Sequence, residues 1–210
     1  MTYTIQRPYL KNHKLHDFQQ SLEKETKIIE SGEHLAVIHR LNIEFEKFGL
    51  RIDFESFEDN YGDDSVSKSR NRGGVDATFN LISIRTGKIV KKGFTIDYKF
   101  RDPNAIWDDF LAETVSQDYI RFNSKKPIVK GWAICDHKIN NAILYILPFH
   151  KKAALVSRNE LKNGFDKNRF PLDEHRRKIA KNKTYDTISY TISWSRLTKV
   201  CPSTIIFNYE

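Results

Sequence analysis

Three residues whose side chains could together carry out hydrolysis lie on either side of one predicted β-turn. Asp76 precedes the turn at residues 85–88, and Asp97 and Lys99 follow it in Asp97-Tyr98-Lys99. A turn centred between Thr86 and Gly87 places Asp76 directly opposite Asp97, with Cβ atoms roughly 5 Å apart. Lys99 lies two residues beyond Asp97 and therefore points to the same face of the strand.

The two opposed carboxylates are the feature that indicates a metal ion. Like charges directly across a sheet are destabilising unless something neutralises them. Carboxylate oxygens are ligands that magnesium prefers, and a nearby ammonium could orient and polarise an attacking water, so the set suits metal-assisted hydrolysis of a phosphodiester. Acid-x-Lys triplets also occur at Glu25 and Asp136. The alternative is an exposed sheet face on which Lys99 is only an ion-pair partner.

A β-hairpin must position these residues. Alternation of apolar and polar side chains predicts strands over residues 75–84 and 89–100, joined by the turn, with a preceding strand over 50–57. The opposed placement of the acids depends on register, because a slip of one residue sends a side chain to the other face. A bulge at Lys91-Lys92-Gly93 would spoil the predicted pairing.

Helices and further strands are predicted around the hairpin. Residues 17–48 are predicted as helix in two pieces that break near Gly32, with Gly49 as the stop. Residues 58–72 are predicted as a long loop, residues 105–123 as a helix, and residues 128–135 and 142–147 as strands. The C-terminal part contains a basic stretch at 159–183 and two strand-like segments, 187–197 and 204–209. The apolar stripe of the second helical piece is predicted to consist of Leu35, Ile38, Leu41, Phe45 and Phe48.

Composition indicates one folded domain with a polyanionic partner. The 210 residues are 39% hydrophobic and 30% charged, and the net charge is +8. Nucleic acid is the first candidate partner and anionic lipid the second. No stretch is long or apolar enough to predict a membrane helix, and no helical stretch pairs a basic face with a strongly apolar one. Two cysteines without metal-ligand spacing favour a reducing, cytoplasmic location.

The hairpin and its motif resemble the PD-(D/E)XK nuclease superfamily. Gly74-Val75-Asp76, then Thr95-Ile96-Asp97-Tyr98-Lys99 and a predicted following helix, match that pattern over about residues 30–148. The resemblance implies an α/β fold with a restriction-endonuclease-like core, in which a central mixed sheet with an antiparallel hairpin is flanked by helices. Residues 149–210 would form a C-terminal extension of the same domain.

The resemblance also implies roles for individual residues. Asp76, Asp97 and the Tyr98 carbonyl would bind Mg2+, with Mn2+ as a substitute, and Lys99 would assist the attacking water. Glu33 would be the glutamate that many members carry on the first helix, with Glu44 as the alternative.

We therefore expect a magnesium-dependent endonuclease acting on DNA. The alternatives are a non-catalytic nucleic-acid-binding protein on the same fold, and an exonuclease or junction resolvase with the same core. The sequence leaves monomer and homodimer both open. A solvated helical face explains the basic run at residues 175–183 nearly as well as phosphate contact does. The residues expected to contact DNA are Lys68, Arg70 and Arg72 in the long loop, and Arg176, Arg177, Lys178, Lys181 and Lys183 in the C-terminal extension.

Overall fold

The computed structural model describes residues 32–57, 75–122, 125–182 and 184–210, and for residues 54–57 the backbone path alone. Three α-helices and ten β-strands lie in these ranges. The helices are α1 (Glu33–Glu46), α2 (Arg158–Asp166) and α3 (Trp194–Val200). The strands are β1 (Leu50–Phe57), β2 (Ala77–Ser83), β3 (Ile89–Phe100), β4 (Phe110–Asp118), β5 (Val129–Lys130), β6 (Ala142–Leu147), β7 (Lys152–Ser157), β8 (Arg177–Lys181), β9 (Asp186–Ile192) and β10 (Ile205–Asn208).

A six-stranded mixed sheet in the order β1-β2-β3-β6-β7-β10 forms the centre of the fold. β3 and β6 are parallel, and the other neighbours are antiparallel. The predicted α/β class, the mixed sheet and its antiparallel hairpin are therefore confirmed. β7 and β10 come from residues 149–210, so this segment supplies part of the central sheet instead of forming a separate appendage.

Helix α1 covers one face of the central sheet. Val37, Leu41 and Phe45 recur every four residues and so lie on one side of the helix, where they pack against side chains that include Phe79 and Ile96. The predicted stripe was wrong at two of its five positions, because Leu35 and Phe48 are exposed. Leu35 is two residues from Val37, which turns it away from the sheet.

A second, four-stranded sheet in the order β5-β4-β9-β8 covers the opposite face together with α2 and α3. The predicted helix over residues 105–123 is wrong, since residues 110–118 form β4. Phe110, Ala112 and Thr114 are buried and alternate with more exposed neighbours, which is the period of a strand. The strand predicted over residues 128–135 is also mostly wrong, because only β5 is extended and a turn at Gly131 follows.

The remaining segments agree more closely with the sequence. β6 and β10 occupy two of the predicted strands, and β9 occupies most of a third, which ends where α3 begins. In the described ranges no helix has both the length and the apolar character needed to cross a membrane.

Candidate active site

The hairpin brings Asp76 and Asp97 to opposite positions. Ala77 pairs with Ile96, and the Asp76 N–H, one residue before β2, also donates to the Ile96 carbonyl at 2.8 Å. The Tyr98 N–H donates to Asp76 Oδ2 at 2.6 Å, so the backbone and the carboxylate of Asp76 contact β3 on the two sides of Asp97. The two acids therefore lie together, as the predicted register requires.

The register at the acids results from a turn and two bulges. At the turn end Ile82 pairs with Ile89, then Leu81 with Lys91, and Phe79 with Phe94. Each of the two irregularities inserts one extra residue in β3. A single bulge would have turned the Asp97 side chain to the other face of the sheet, and the second bulge turns it back. The predicted turn centre between Thr86 and Gly87 was therefore wrong by one residue, and the two bulges together restore the predicted register before Asp97.

Gly93 stabilises this irregular part of β3. Its φ angle of 62° is in the left-handed region that favours glycine, and its N–H donates to Asn80 Oδ1 at 3.1 Å. The Asn80 side chain is buried, so the hydrogen bond satisfies a polar group that would otherwise be costly to bury. The bulge at Gly93 therefore helps to determine the face of β3 to which the Asp97 side chain points.

Lys99 is directly paired with Asp97. Its Nζ lies 2.6 Å from Asp97 Oδ1 and 3.1 Å from the Tyr98 carbonyl oxygen. Asp97 is only 3% exposed, whereas the Lys99 side chain is 27% exposed. Ile96 and Tyr98 belong to the core beneath α1, and Asp97 and Lys99 alternate with them and point to the face covered by the second sheet. The charged pair therefore lies at the boundary between the two sheets.

Asp76 is an acid whose charged form is strongly disfavoured. Burial, and then the negative charge of Asp97, raise the pKa of Asp76 from 3.8 to about 7, although the Lys99 ammonium and the Tyr98 N–H act in the opposite direction. A cation placed between the carboxylates would relieve both causes of the rise. The buried pair thus provides an electrostatic reason for binding a divalent ion.

The start of β4 is fixed against the central sheet beside this pair. Arg101, two residues beyond Lys99, is buried and forms an ion pair with Asp109 at 2.9 Å. The Leu111 N–H donates to the Tyr145 hydroxyl at 3.1 Å, and Tyr145 is the residue that pairs with Lys99 across β3 and β6. These contacts position β4 beside the acid pair.

Glu113 on β4 is a site residue that the sequence analysis missed. Burial raises the pKa of Glu113, while hydrogen bonds from the Ser116 hydroxyl and the Trp132 N–H, and the positive charge of Lys99, lower it. Glu113 is therefore close enough to Lys99 to interact with its charge. The interpretation of residues 105–123 as a helix hid this residue, although the alternation of Phe110, Ala112 and Thr114 around it is also compatible with a strand.

Gly131 allows the segment after β5 to approach Glu113 closely. A Cβ at this position would lie 2.3 Å from the Glu113 carbonyl oxygen and 2.8 Å from its Cγ, so only glycine fits. The Ala133 N–H donates to the same carbonyl at 3.0 Å. This close packing places the Trp132 N–H where it can hold the Glu113 carboxylate.

Glu33 is not brought together with the acid pair. Its Oε1 accepts hydrogen bonds from Lys151 Nζ at 2.7 Å and the Tyr209 hydroxyl at 3.0 Å. It begins α1, which packs on the face of the central sheet away from Asp97. Glu44, the alternative, forms ion pairs with Arg40 and Lys47. Of these three glutamates, Glu113 on β4 is the one that interacts with the charge of Lys99.

Three of the predicted C-terminal DNA contacts, Arg177, Lys178 and Lys181, lie on the edge strand β8. Lys178 pairs with Ser189, and Ser189 pairs with Glu113, so these three residues share one side of the second sheet. Arg177 and Lys181 alternate with Lys178 and point to the other side. Arg176 is the last residue of a short 3-10 helix, and its Nε lies 3.6 Å from Asp173 Oδ2. Among the predicted DNA contacts, Lys68, Arg70, Arg72 and Lys183 lie outside the described residues.

The donors near Asp97 suit a magnesium ion better than a zinc ion. Within the described ranges no three His, Cys, Asp or Glu side chains gather as a metal centre. Two carboxylates and the Tyr98 carbonyl are hard oxygen donors, and magnesium takes few protein ligands and keeps several waters. Comparison of the chain with protein-family models, curated proteins and solved structures gave no match. The functional assignment therefore rests on the geometry of this site.

Replacing Asp76 by asparagine should stabilise the metal-free protein at neutral pH. The folded carboxyl, with a pKa of about 7, holds a proton that the unfolded one has lost, so the contribution of Asp76 to stability falls as the pH rises from about 4 to about 7. The difference between these pKa values corresponds to about 4 kcal/mol. We expect Asp76→Asn to raise the free energy of unfolding by about 2–4 kcal/mol at pH 7 and to have little effect at pH 4.

The measurement is urea unfolding in chelator at the two pH values. Asp53→Asn, an exposed acid on β1, is the matched control and should change little at either pH. An equal effect of Asp76→Asn at pH 4 and pH 7 would show that the carboxyl is ionised over the whole range.

Proposed function

We propose that this protein is a magnesium-dependent DNA endonuclease with a core of the PD-(D/E)XK type. The observation that carries the proposal is the placement of Asp76 and Asp97 on facing positions of one hairpin, with Lys99 2.6 Å from Asp97. The mixed sheet, with α1 on one face, supports the same proposal. Its departure from the expected core is β4, a strand in the place of the predicted second helix.

Each residue of the site has a distinct role in this proposal. Asp76, Asp97 and the Tyr98 carbonyl would hold the Mg2+ ion, which supplies charge neutralisation at the phosphate and a more acidic water. Lys99, with its half-buried ammonium, holds and orients the oxygen nucleophile beside the phosphate. Glu113, held by Ser116 and Trp132, supplies a further acceptor close to Lys99. The buried floor beneath these groups strengthens their electrostatic effect on the substrate.

A polyanionic substrate agrees with the charge of the chain. The net charge of +8 favours association with a phosphate backbone, and Lys178 lies on the same side of the second sheet as Glu113. Two strand spacings separate their backbones, or about 10 Å. Lys178 can therefore contact the substrate near the reacting phosphate.

One observation favours a second candidate function, nucleic-acid binding without cleavage. The Lys99 ammonium contacts both Asp97 Oδ1 and the Tyr98 carbonyl, which are two of the three proposed metal ligands. In this arrangement an internal ion pair already neutralises part of the acid pair. A magnesium ion must therefore shift Lys99 away from these oxygens, and a protein that never binds the ion would keep the arrangement permanently.

Supercoiled plasmid incubated with the protein should be nicked or linearised in Mg2+ and left intact in excess chelator. Calcium should support DNA binding with poor turnover, because its larger and looser coordination shell does not suit a magnesium site. Agarose electrophoresis measures cleavage, and a mobility shift in Ca2+ measures binding. Binding without cleavage in either Mg2+ or Mn2+ would favour the second candidate.

The form of the substrate distinguishes the remaining alternatives. An endonuclease cuts a closed circle, whereas an exonuclease requires an end and a junction resolvase prefers branched DNA. Linear, supercoiled, single-stranded and four-way-junction substrates should therefore be compared at the same concentration of phosphates. Degradation restricted to linear DNA would replace the endonuclease assignment by an exonuclease one.

A further inference from the structure

The outer half of the hairpin carries an unusual concentration of positive charge. Arg85, Lys88, Lys91 and Lys92 are all exposed, and residues 77–96 contain no acidic side chain. Within the part of the chain that the structure describes, no ion pair engages any of these four residues. Four exposed cations in a segment that contains no acidic residue create a positive potential around the turn.

Apolar side chains are exposed beside these cations. Ile89 and Val90 are 52% and 57% exposed, and Ile84 and Phe48 are also largely exposed. The Ile84 N–H donates to the Gly49 carbonyl at 2.9 Å, which joins the residues after α1 to the end of the hairpin. The exposed apolar residues thus lie at one end of the sheet, with Ile89 and Val90 on opposite faces of β3.

The same part of β3 has an open edge. β6 pairs with β3 only from Ile96 onward, so in the described ranges residues 89–94 have β2 on one side and no strand on the other. Lysines on an open edge also protect against strand pairing between molecules, which is the simplest alternative explanation for Lys91 and Lys92. Edge protection does not explain the exposed Ile89 and Val90, which would favour such pairing.

We infer that the hairpin end formed by residues 84–92 is a duplex-binding element that contacts DNA away from the cleaved phosphate. This inference rests on the proposed function. A β-ribbon fits the major groove, where lysines reach phosphates and aliphatic side chains contact thymine methyl groups. Lys91 is six residues from Asp97, or about 20 Å along β3, which corresponds to about six base pairs of duplex.

The test compares two triple variants with the same change in charge. Lys88, Lys91 and Lys92 are changed to glutamine in one, and the exposed Lys125, Lys167 and Lys199 in the other. Affinity for one duplex is measured in Ca2+ at several salt concentrations. Because each phosphate contact contributes about 0.9 to the slope of log affinity against log salt, the hairpin variant should lose about two to three units of slope. The control variant should keep the wild-type slope.

A second variant tests the apolar half of the element. Ile89→Ser with Val90→Ser should weaken binding about tenfold at every salt concentration without changing the slope, because apolar contact releases no counterions. At subsaturating DNA, cleavage by both hairpin variants should fall in proportion to their loss of affinity, and cleavage by the control variant should match that of the wild-type protein. Unchanged melting temperatures would show that all three variants fold.

Three outcomes would overturn the inference. Equal slopes in the hairpin and control variants, with more aggregation in the hairpin variant, would mean that the lysines only protect the edge. Tight binding of the wild-type protein to anionic phospholipid vesicles but not to duplex, with loss in the hairpin variant, would identify a membrane surface instead. Absence of any duplex binding by the wild-type protein would overturn the proposed function as well. Normal cleavage by the wild-type protein, with equal salt slopes in the hairpin and control variants, would overturn the hairpin assignment alone.

Discussion

Asp97→Asn should reduce DNA cleavage by about three orders of magnitude while the protein remains folded. The substitution keeps the size of the side chain and one acceptor oxygen but removes the charge that would bind Mg2+. Asp97 is buried and its Oδ1 contacts Lys99, so the change also alters the position of the lysine ammonium. Loss of both metal affinity and lysine placement makes this the most damaging single change that keeps the shape of the site.

Two acids outside the hairpin provide matched controls. Asp53 is exposed on β1, and Asp136 is exposed and pairs with Lys130 and Lys162. Their asparagine variants should cleave at nearly the wild-type rate. The measurement is the single-turnover rate at saturating Mg2+, with circular dichroism to verify folding. If Asp97→Asn kept its activity while Asp136→Asn lost it, the catalytic centre would have to be sought around Asp136.

The hairpin could be predicted from sequence because its signal is local. Alternating side chains and a turn with Gly87 fix two strands, and the acids follow from their distance to the turn. The agreement at Asp76 and Asp97 nevertheless depended on two bulges in β3, whose combined shift of two residues offsets a turn centred one residue earlier than predicted. Gly93, which has a positive φ, lies in one of these bulges, and the second bulge and the exact turn centre follow only from the whole ladder.

The second sheet could not be predicted because its signal depends on distant partners. Residues 110–118 contain apolar side chains at spacings that also suit a helix, and only pairing with β9, about seventy residues later in the chain, decides for a strand. The interpretation of these residues as a helix also hid Glu113 as a candidate site residue. Glu33 was misplaced for the related reason that a position on the first helix does not determine which face of the sheet the helix covers.

Replacing Lys99 by alanine should abolish most of the cleavage and at the same time strengthen the response to Mg2+. The ammonium now contacts Asp97 Oδ1 and the Tyr98 carbonyl, both proposed metal ligands, so its removal leaves these oxygens open to the ion. Without metal, Asp97 would be buried without its ion-pair partner, which should cost about 1–3 kcal/mol of stability given that Lys99 is partly exposed. Cleavage should fall about a hundredfold to ten-thousandfold.

Thermal melting with and without Mg2+ separates the two roles of the lysine. The alanine variant should melt below the wild-type protein in chelator and show the larger increase in melting temperature on addition of Mg2+. Lys99→Arg should keep most of the metal-free stability but restore only part of the cleavage, because a planar guanidinium differs from a compact ammonium in reach and hydration. Lys125→Ala, which removes an exposed lysine, should match the wild-type protein in both assays. Normal cleavage by the Lys99→Ala variant in saturating Mg2+ would exclude a catalytic role for Lys99. If Mg2+ raised the melting temperature of this variant no more than that of the wild-type protein, the lysine would not compete for the metal ligands.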